Sequence, residues 1–362
     1  MEKGFWLHME KPIIGLAPMD GVTDAPFRLI AARYAKPHFH ITEFTSVEGI
    51  CHGALKSLKA FLYDEIERPI VAQMFGSDPE SFYKSAFVVC ELGFDGIDIN
   101  MGCPANNVAS KGAGAGLIRT PELAKQILRR TKDAANDWAG GKKIEDVGLP
   151  DTIVNYVNNR EKTQNIHVGR RLLPVSVKTR LGYNEVVIEE WIKHLLEEEP
   201  VNITVHGRTL KQMYSGSADW EAIGRAAKIV HETETIILGN GDIKNVNEGM
   251  EKVRTYGVDG FMIGRASFGN PWVFEKEAAE TNQTGAFVGG MREPGKTFAL
   301  AIEHAHLYEK TFNDNHFVPM RKHLAWYCRG FHGASEMRQK LMKANTAKDV
   351  EEMLMAFNPE ER

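Results

Sequence analysis

Eight short β-rich runs, each set off from the next by a longer stretch, constrain this chain more than any other feature of its sequence. They are Ile13–Ala17, His40–Phe44, Ile70–Met74, Gly96–Asn100, Val175–Lys178, Asn202–His206, Ile236–Gly239 and Gly260–Gly264. Several are near-continuous runs of Val, Ile and Leu, as strands covered on both faces require. Helical periodicity fills the intervals, for example at Glu80–Leu92, Pro121–Lys132, Glu185–Glu198 and Val246–Tyr256. Strand–helix alternation implies parallel βαβ units. Eight of them predict an α/β fold, a closed (β/α)8 barrel of the TIM type. A doubly wound open sheet is the alternative that the pattern leaves open.

The chain has 362 residues, and a barrel of this kind needs about 250. The alternation stops after about Thr281, and the remainder has helical periodicity without clear strands. A barrel domain over 1–282 and an all-helical C-terminal domain over 283–362 are expected. The segment 139–169 is longer than one helical connection requires, and reads as a partly helical surface insertion.

Several function classes are excluded. With 43% hydrophobic and 25% charged residues the composition is that of an ordinary globular protein. No apolar run approaches the roughly 20 residues of a membrane span, and the first residues carry no signal-peptide pattern. A cytoplasmic protein with no membrane partner, acting as a monomer, is expected. The four cysteines, Cys51, Cys90, Cys103 and Cys328, are scattered without a CxxC pair. Neither a disulfide framework nor a metal site is expected.

A TIM barrel carries its chemistry at the carboxyl ends of its strands, and here those ends are polar. Strand one runs into Pro18-Met19, and strand three carries Gln73. Strand four ends in Asn100-Met101-Gly102-Cys103-Pro104; strand five delivers Lys178 and Arg180; strand six delivers His206 and Arg208. Strand seven runs into Asn240-Gly241-Asp242, and strand eight into Gly264-Arg265. The loops after the last two strands of such barrels often bind phosphate. Glycine lets the backbone approach an anion closely, and Arg265 adds a fixed charge. Without a dinucleotide fingerprint, this suggests a mononucleotide cofactor such as FMN. The run Gly112-Ala-Gly114-Ala-Gly116 does not directly follow a strand, so it reads as a mobile loop after Cys103 instead.

These residues resemble the motifs of tRNA-dihydrouridine synthases. Asp98-Ile-Asn100-Met-Gly-Cys103-Pro104 looks like that family's active-site signature, and Ala17-Pro-Met19-Asp-Gly-Val-Thr-Asp24 its first strand end. Val177-Lys178-Thr-Arg180-Leu-Gly182, Thr204-Val-His206-Gly-Arg208-Thr209, Asn240-Gly-Asp242, Met262-Ile-Gly264-Arg265-Ala and Gly269-Asn-Pro-Trp272 are similar to its later motifs. Arg321-Lys-His323-Leu-Ala-Trp326-Tyr327 through Gly330-Phe resembles the bacterial B-type members. The likeness covers nearly the whole chain except the inserted segment. It implies FMN, NADPH (or NADH) as electron donor, and a uridine of the tRNA D-loop as substrate. By motif position Ala17, Pro18, Met19, Gln73, Lys178, His206, Asn240, Gly241, Asp242, Gly264 and Arg265 would hold the flavin. Cys103 would be the proton donor, with Asn100, Arg180 and Arg208 near the substrate base.

The chemistry suits these residue types. Saturating the uracil C5=C6 bond takes a hydride and a proton. A thiol with an ordinary pKa of about 8.5 is mostly protonated near neutrality and can act as a general acid. A buried, inert Cys103 is the plain alternative. An ammonium at Lys178 would stabilise negative charge on a reduced flavin. His206 would meet either its phosphate or its ring.

The net charge of −4 does not mark a nucleic-acid binder, but the tail is locally basic. From Phe317 to Lys343 there are six lysines and arginines against one acid, Glu336. Lys322, Trp326 and Arg329 are spaced to share one helical face. With Arg321 they suit phosphate contact and base stacking on tRNA; a solvated basic face with Trp326 in the core is the alternative. Two other functions remain open: a flavin barrel reductase of a free pyrimidine or related small molecule, and a non-catalytic tRNA-binding protein.

Overall fold

The structure, a computed structural model, describes residues 3–164, 169–213, 215–275, 294–312 and 317–357. The strands are β1 (Ile13–Leu16), β2 (His40–Ile41), β3 (Thr45–Ser46), β4 (Ile70–Phe75), β5 (Gly96–Met101), β6 (Val175–Arg180), β7 (Asn202–His206), β8 (Ile236–Asn240) and β9 (Gly260–Ile263). All pair in parallel, in the order β1-β9-β8-β7-β6-β5-β4-β2, with β3 also on β4. The ring closes where His38 N donates to Ile14 O at 2.8 Å and Gly15 bridges Phe39. A Cβ on Gly15 would lie 2.6 Å from the Phe39 ring, so this closure requires glycine. The result is a (β/α)8 barrel, and the open-sheet alternative is excluded.

The second stave departs from expectation. The run His40–Phe44 is expected as one strand, but only His40–Ile41 forms β2, and pairing resumes beyond the run at β3. After Ile41 the Thr42 hydroxyl accepts from Gln73 N at 3.0 Å, a backbone ladder bond replaced by a side chain. That break turns Phe44 to the cavity, edge-on to Phe75.

Side chains of the staves alternate with period two. Outward-facing Val, Ile and Leu pack under a sheath of helices that includes Ala25–Ala35, Pro79–Glu91, Pro121–Ala139, Ile188–Leu196, Trp220–Val230 and Val246–Tyr256. Asp24, Asp78, Asp219 and Asn245 cap four of these by accepting a first-turn backbone N–H. Inside the barrel Trp6, Phe39, Val71 and Leu238 form a second apolar cluster. Gln73, Asp98, Ser176, Asn202 and Thr204 are buried polar residues of the staves.

The segment expected as a surface insertion holds the helix Asp151–Gln164. Its Ile153 and Val157 are fully buried in the main core, and Arg160 Nη1 donates to Phe61 O at 2.9 Å.

Past the barrel, helices Pro294–Phe312, Met320–Tyr327, Ala334–Leu341 and Ala347–Met355 surround a core of their own, with Leu300, Met320, Leu324, Leu341 and Val350. Each such side chain contributes about 1.5–3 kcal/mol by leaving water. The barrel joins this core through Ile30. At the same seam Tyr34 Oη donates to Glu303 at 2.6 Å and Trp272 packs edge-on to Tyr34. The expected domain boundary at 282–283, and the end of the alternation near Thr281, lie outside the described residues. No described helix is long and apolar enough to cross a membrane.

Candidate active site

The carboxyl ends of the staves surround a cavity of about 710 Å³. Ala17, Pro18, Met19, Asn100, Cys103, Lys178, Arg180, His206, Arg208, Asn240, Gly241, Asp242, Gly264 and Arg265 all line it. Among the residues expected at the flavin or the base, Gln73 alone does not. It is fully buried, and its carboxamide bridges Asp98 and Asn100.

Cys103 sits on a turn held from several sides. Asn100 Oδ1 accepts from Gly102 N at 3.0 Å and from Cys103 N at 2.8 Å. Arg180 Nε donates to Gly102 O at 2.6 Å, and Ala115 N donates to Cys103 O at 3.2 Å. The glycine run beyond it was expected as a mobile loop, but Gly114–Arg119 is a 3-10 helix with Gly114, Ala115 and Gly116 buried. A Cβ on Gly116 would lie 2.6 Å from Ala109 O, so these glycines serve close packing. Burial pushes the Cys103 thiol pKa up; an N–H from Ala105 opposes this, Asp20 reinforces it, and Arg180 and Lys178 oppose it. The thiol stays protonated at neutral pH.

Lys178 lies beside Asn100 in the strand register. Burial first, then the Arg180 charge, bring its pKa down to about 8, against the pull of Asp98 and Cys103. His206 is held neutral, first by burial and then by Arg180, Lys178, Arg208 and Arg265.

Across the cavity Asp242 gathers two arginines. Its Oδ2 accepts from Arg208 at 2.6 Å and from Ala218 N at 2.8 Å, and its Oδ1 accepts from Arg265 at 2.5 Å. Arg208 Nη1 lies 3.5 Å from His206 Nε2. Arg208, expected near the substrate base, therefore stands with His206, Asp242 and Arg265. Arg180 stands with the Cys103 turn.

The helical region reaches this mouth. Trp326 lies flat on Phe268, which lines the cavity, with ring centroids 4.0 Å apart. Lys322 Nζ would be 3.4 Å from a Cβ on Gly21. Arg321 is engaged with Ala344 O and Asn345 Oδ1. The expected shared face of Lys322, Trp326 and Arg329 does not form, because the helix ends at Tyr327. Cys328 leaves helical geometry with ψ 76, Gly330 turns at φ 77, and Arg329 falls beyond the last turn.

Phe44, Phe268 and Asp98 were not singled out from sequence. The carboxyl-end rule applied to strand two points to Phe44. Phe268 falls between two recognised motifs, and Asp98 lies inside one but one side-chain layer below the mouth.

Polar strand ends around one cavity, a thiol on one wall and an arginine pair on the other, define a (β/α)8-barrel enzyme. The family model described as dihydrouridine synthase (Dus) matches residues 15–140 and 148–360. The chain belongs to this family, whose members are oxidoreductases acting on uridine in tRNA. A probable tRNA-dihydrouridine synthase of Staphylococcus epidermidis is 36% identical over 99% of this chain and 97% of its own length. A probable tRNA-dihydrouridine synthase 2 of Bacillus subtilis is 35% identical over the same shares. A solved structure of DHODH in complex with ferulenol, from Eimeria tenella, aligns with 56% of this chain and 55% of that chain at TM-score 0.38 and 12% identity. The family model passes over only 141–147 between its two matched stretches, so most of the segment read as lying outside the resemblance belongs to the family pattern.

Proposed function

We propose that this chain reduces the C5=C6 bond of a D-loop uridine in tRNA, with FMN bound in the cavity, NADPH (or NADH) as electron source and Cys103 as the acid that protonates C5. The observation that carries the reading is the pairing of a buried, protonated Cys103 with Lys178 on the wall of one cavity.

The residues fit a flavin mononucleotide. Gly241 sits at φ 129, where a Cβ would press to 2.7 Å from Ala218, and a Cβ on Gly264 would lie 3.5 Å from Met19 Sδ and 3.7 Å from Ala17 Cβ. Arg265 supplies charge there, and Arg208 Nε is a buried donor with no partner. Lys178 and His206 would stand by the ring, Ala17 to Met19 would wall it, and Asn240 to Asp242 with Gly264 and Arg265 would hold the phosphate. The bound group supplies the hydride that goes to C6.

The target base must leave its stack to enter the cavity. Arg180, whose Nε donates to Gly102 O and whose Nη1 donates to Thr209 O, lines the cavity and would meet a carbonyl oxygen of the flipped base. Cys103 then gives its proton to C5, and burial that disfavours thiolate keeps that proton available. We assign the helical region to the tRNA backbone. Arg329, Arg338, Lys340 and Lys343 are exposed, and Lys322 sits nearest the cavity rim.

The test is single-turnover reduction of unmodified tRNA beside free uracil. Cys103→Ala is expected to lose about a hundredfold or more. Full rate in Cys103→Ala, or equal turnover of free uracil, rejects the reading.

A further inference from the structure

We propose that Asp98 is a positioning residue that sets the donor–acceptor sense of a buried chain of carboxamides and thereby holds the Cys103 turn. The inference rests on the reading of Cys103 as the acid. Asp98 faces Gln73 and Ser176 in the register of β4, β5 and β6. Ser176 Oγ donates to its Oδ1 at 2.6 Å, and Gln73 Nε2 donates to its Oδ2 at 2.7 Å. Gln73 Oε1 then accepts from Asn100 Nδ2 at 2.9 Å, and Asn100 Oδ1 accepts from Gly102 N and Cys103 N. Gln73, Asp98, Asn100 and Ser176 are all buried, with at most 8% exposure.

The sense of this chain is forced from both ends. Two backbone N–H groups can only donate, so Asn100 must turn its oxygen to them and its NH2 to Gln73. Gln73 must then turn its own NH2 to position 98. A carboxylate has no proton to offer and satisfies that demand in one way only. A carboxamide at 98 has a donor as well, and allows the whole chain to reverse. The reversed chain aims an NH2 at the two N–H groups of the turn, donor against donor. Burial raises the Asp98 pKa to about 6, against the Ser176 and Gln73 hydrogen bonds and the Lys178 charge, so the acceptor-only form holds at neutral pH.

Asp98→Asn is expected to lower kcat on tRNA by about tenfold to a hundredfold while KM for tRNA stays within about twofold. It should also lower the melting temperature and speed iodoacetamide labelling of Cys103, read by peptide mass spectrometry. Ser176→Ala, which removes one donor and leaves the carboxylate, should show a weaker form of both. The deciding variant is the swap Asp98→Asn with Asn100→Asp. It reverses the two carboxamide links, 98 to 73 and 73 to 100, at once, while Ser176 can still donate to position 98 and the new carboxylate still accepts from both N–H groups of the turn. Melting temperature and labelling rate should return toward those of the unsubstituted protein, or the swap should fold where the single variant does not. A swap no better than Asp98→Asn alone overturns the relay, as does an Asp98→Asn protein unchanged in melting and labelling. Full turnover in Cys103→Ala would instead remove the role of the thiol, and the melting and labelling results would still decide the relay.

Discussion

Trp326 of the helical region lies against Phe268 of the barrel with 4.0 Å between ring centroids and 16° between planes. Phe268 is also part of the cavity wall, so this stack ties a helix outside the barrel to the rim of the site. A half-buried aromatic pair of this kind stabilises by about 1 kcal/mol beyond its buried area. Trp326→Ala should lower thermal stability and raise KM for tRNA, whereas Trp326→Phe should keep most of both. If Trp326→Phe loses tRNA affinity while melting normally, the indole contacts RNA directly.

Asp242 should matter as the shared anchor of Arg208 and Arg265. Burial pushes its carboxyl up, but the Arg208 hydrogen bond, the Ala218 N–H and the charges of Arg208 and Arg265 hold it below the usual carboxylate range. Asp242→Ala leaves Arg208, whose side chain is only 2% exposed, without its ion pair. A loss of about 2–3 kcal/mol in denaturant unfolding is expected. Flavin retained after gel filtration, read by absorbance, should fall with it.

Lys178 predicts a basic limb in the pH profile. Its charge is present below a pKa of about 8 and lost above it, so turnover on tRNA should decline as pH rises through 8. Lys178→Met should be slower at neutral pH and lack that limb. The linkage has the opposite sign for stability. Between about 8 and the ordinary lysine value of 10.5 the unfolded chain keeps a proton that the folded chain has released, so this group favours folding more as pH rises through that window. Chemical denaturation at pH 8 and pH 10 with and without Lys178→Met isolates the effect.

Closure of the barrel depends on Gly260. A Cβ there would lie 2.1 Å from Ile13 O, in the pairing of β1 with β9. Backbone cannot yield as a side chain does, so Gly260→Ala should cost about 3 kcal/mol or prevent folding. Gly169→Ala, with nothing within 4 Å of the new Cβ, is the control and should melt unchanged.

The amino-acid sequence alone determined the staves, their parallel order and which strand ends meet. Period-two alternation and the βαβ connection are local and chiral, so Asn100, Lys178, His206 and Asn240 had to arrive at one mouth. The helix end at Tyr327, the buried place of Gln73, the split of the second stave at Thr42, and the sharing of Asp242 by Arg208 and Arg265 were decided only in three dimensions. The last three depend on which side chain stands on the neighbouring stave to make a hydrogen bond, and at the helix end Arg338 donates to Cys328 O; partners from separate elements leave no periodic mark along the chain.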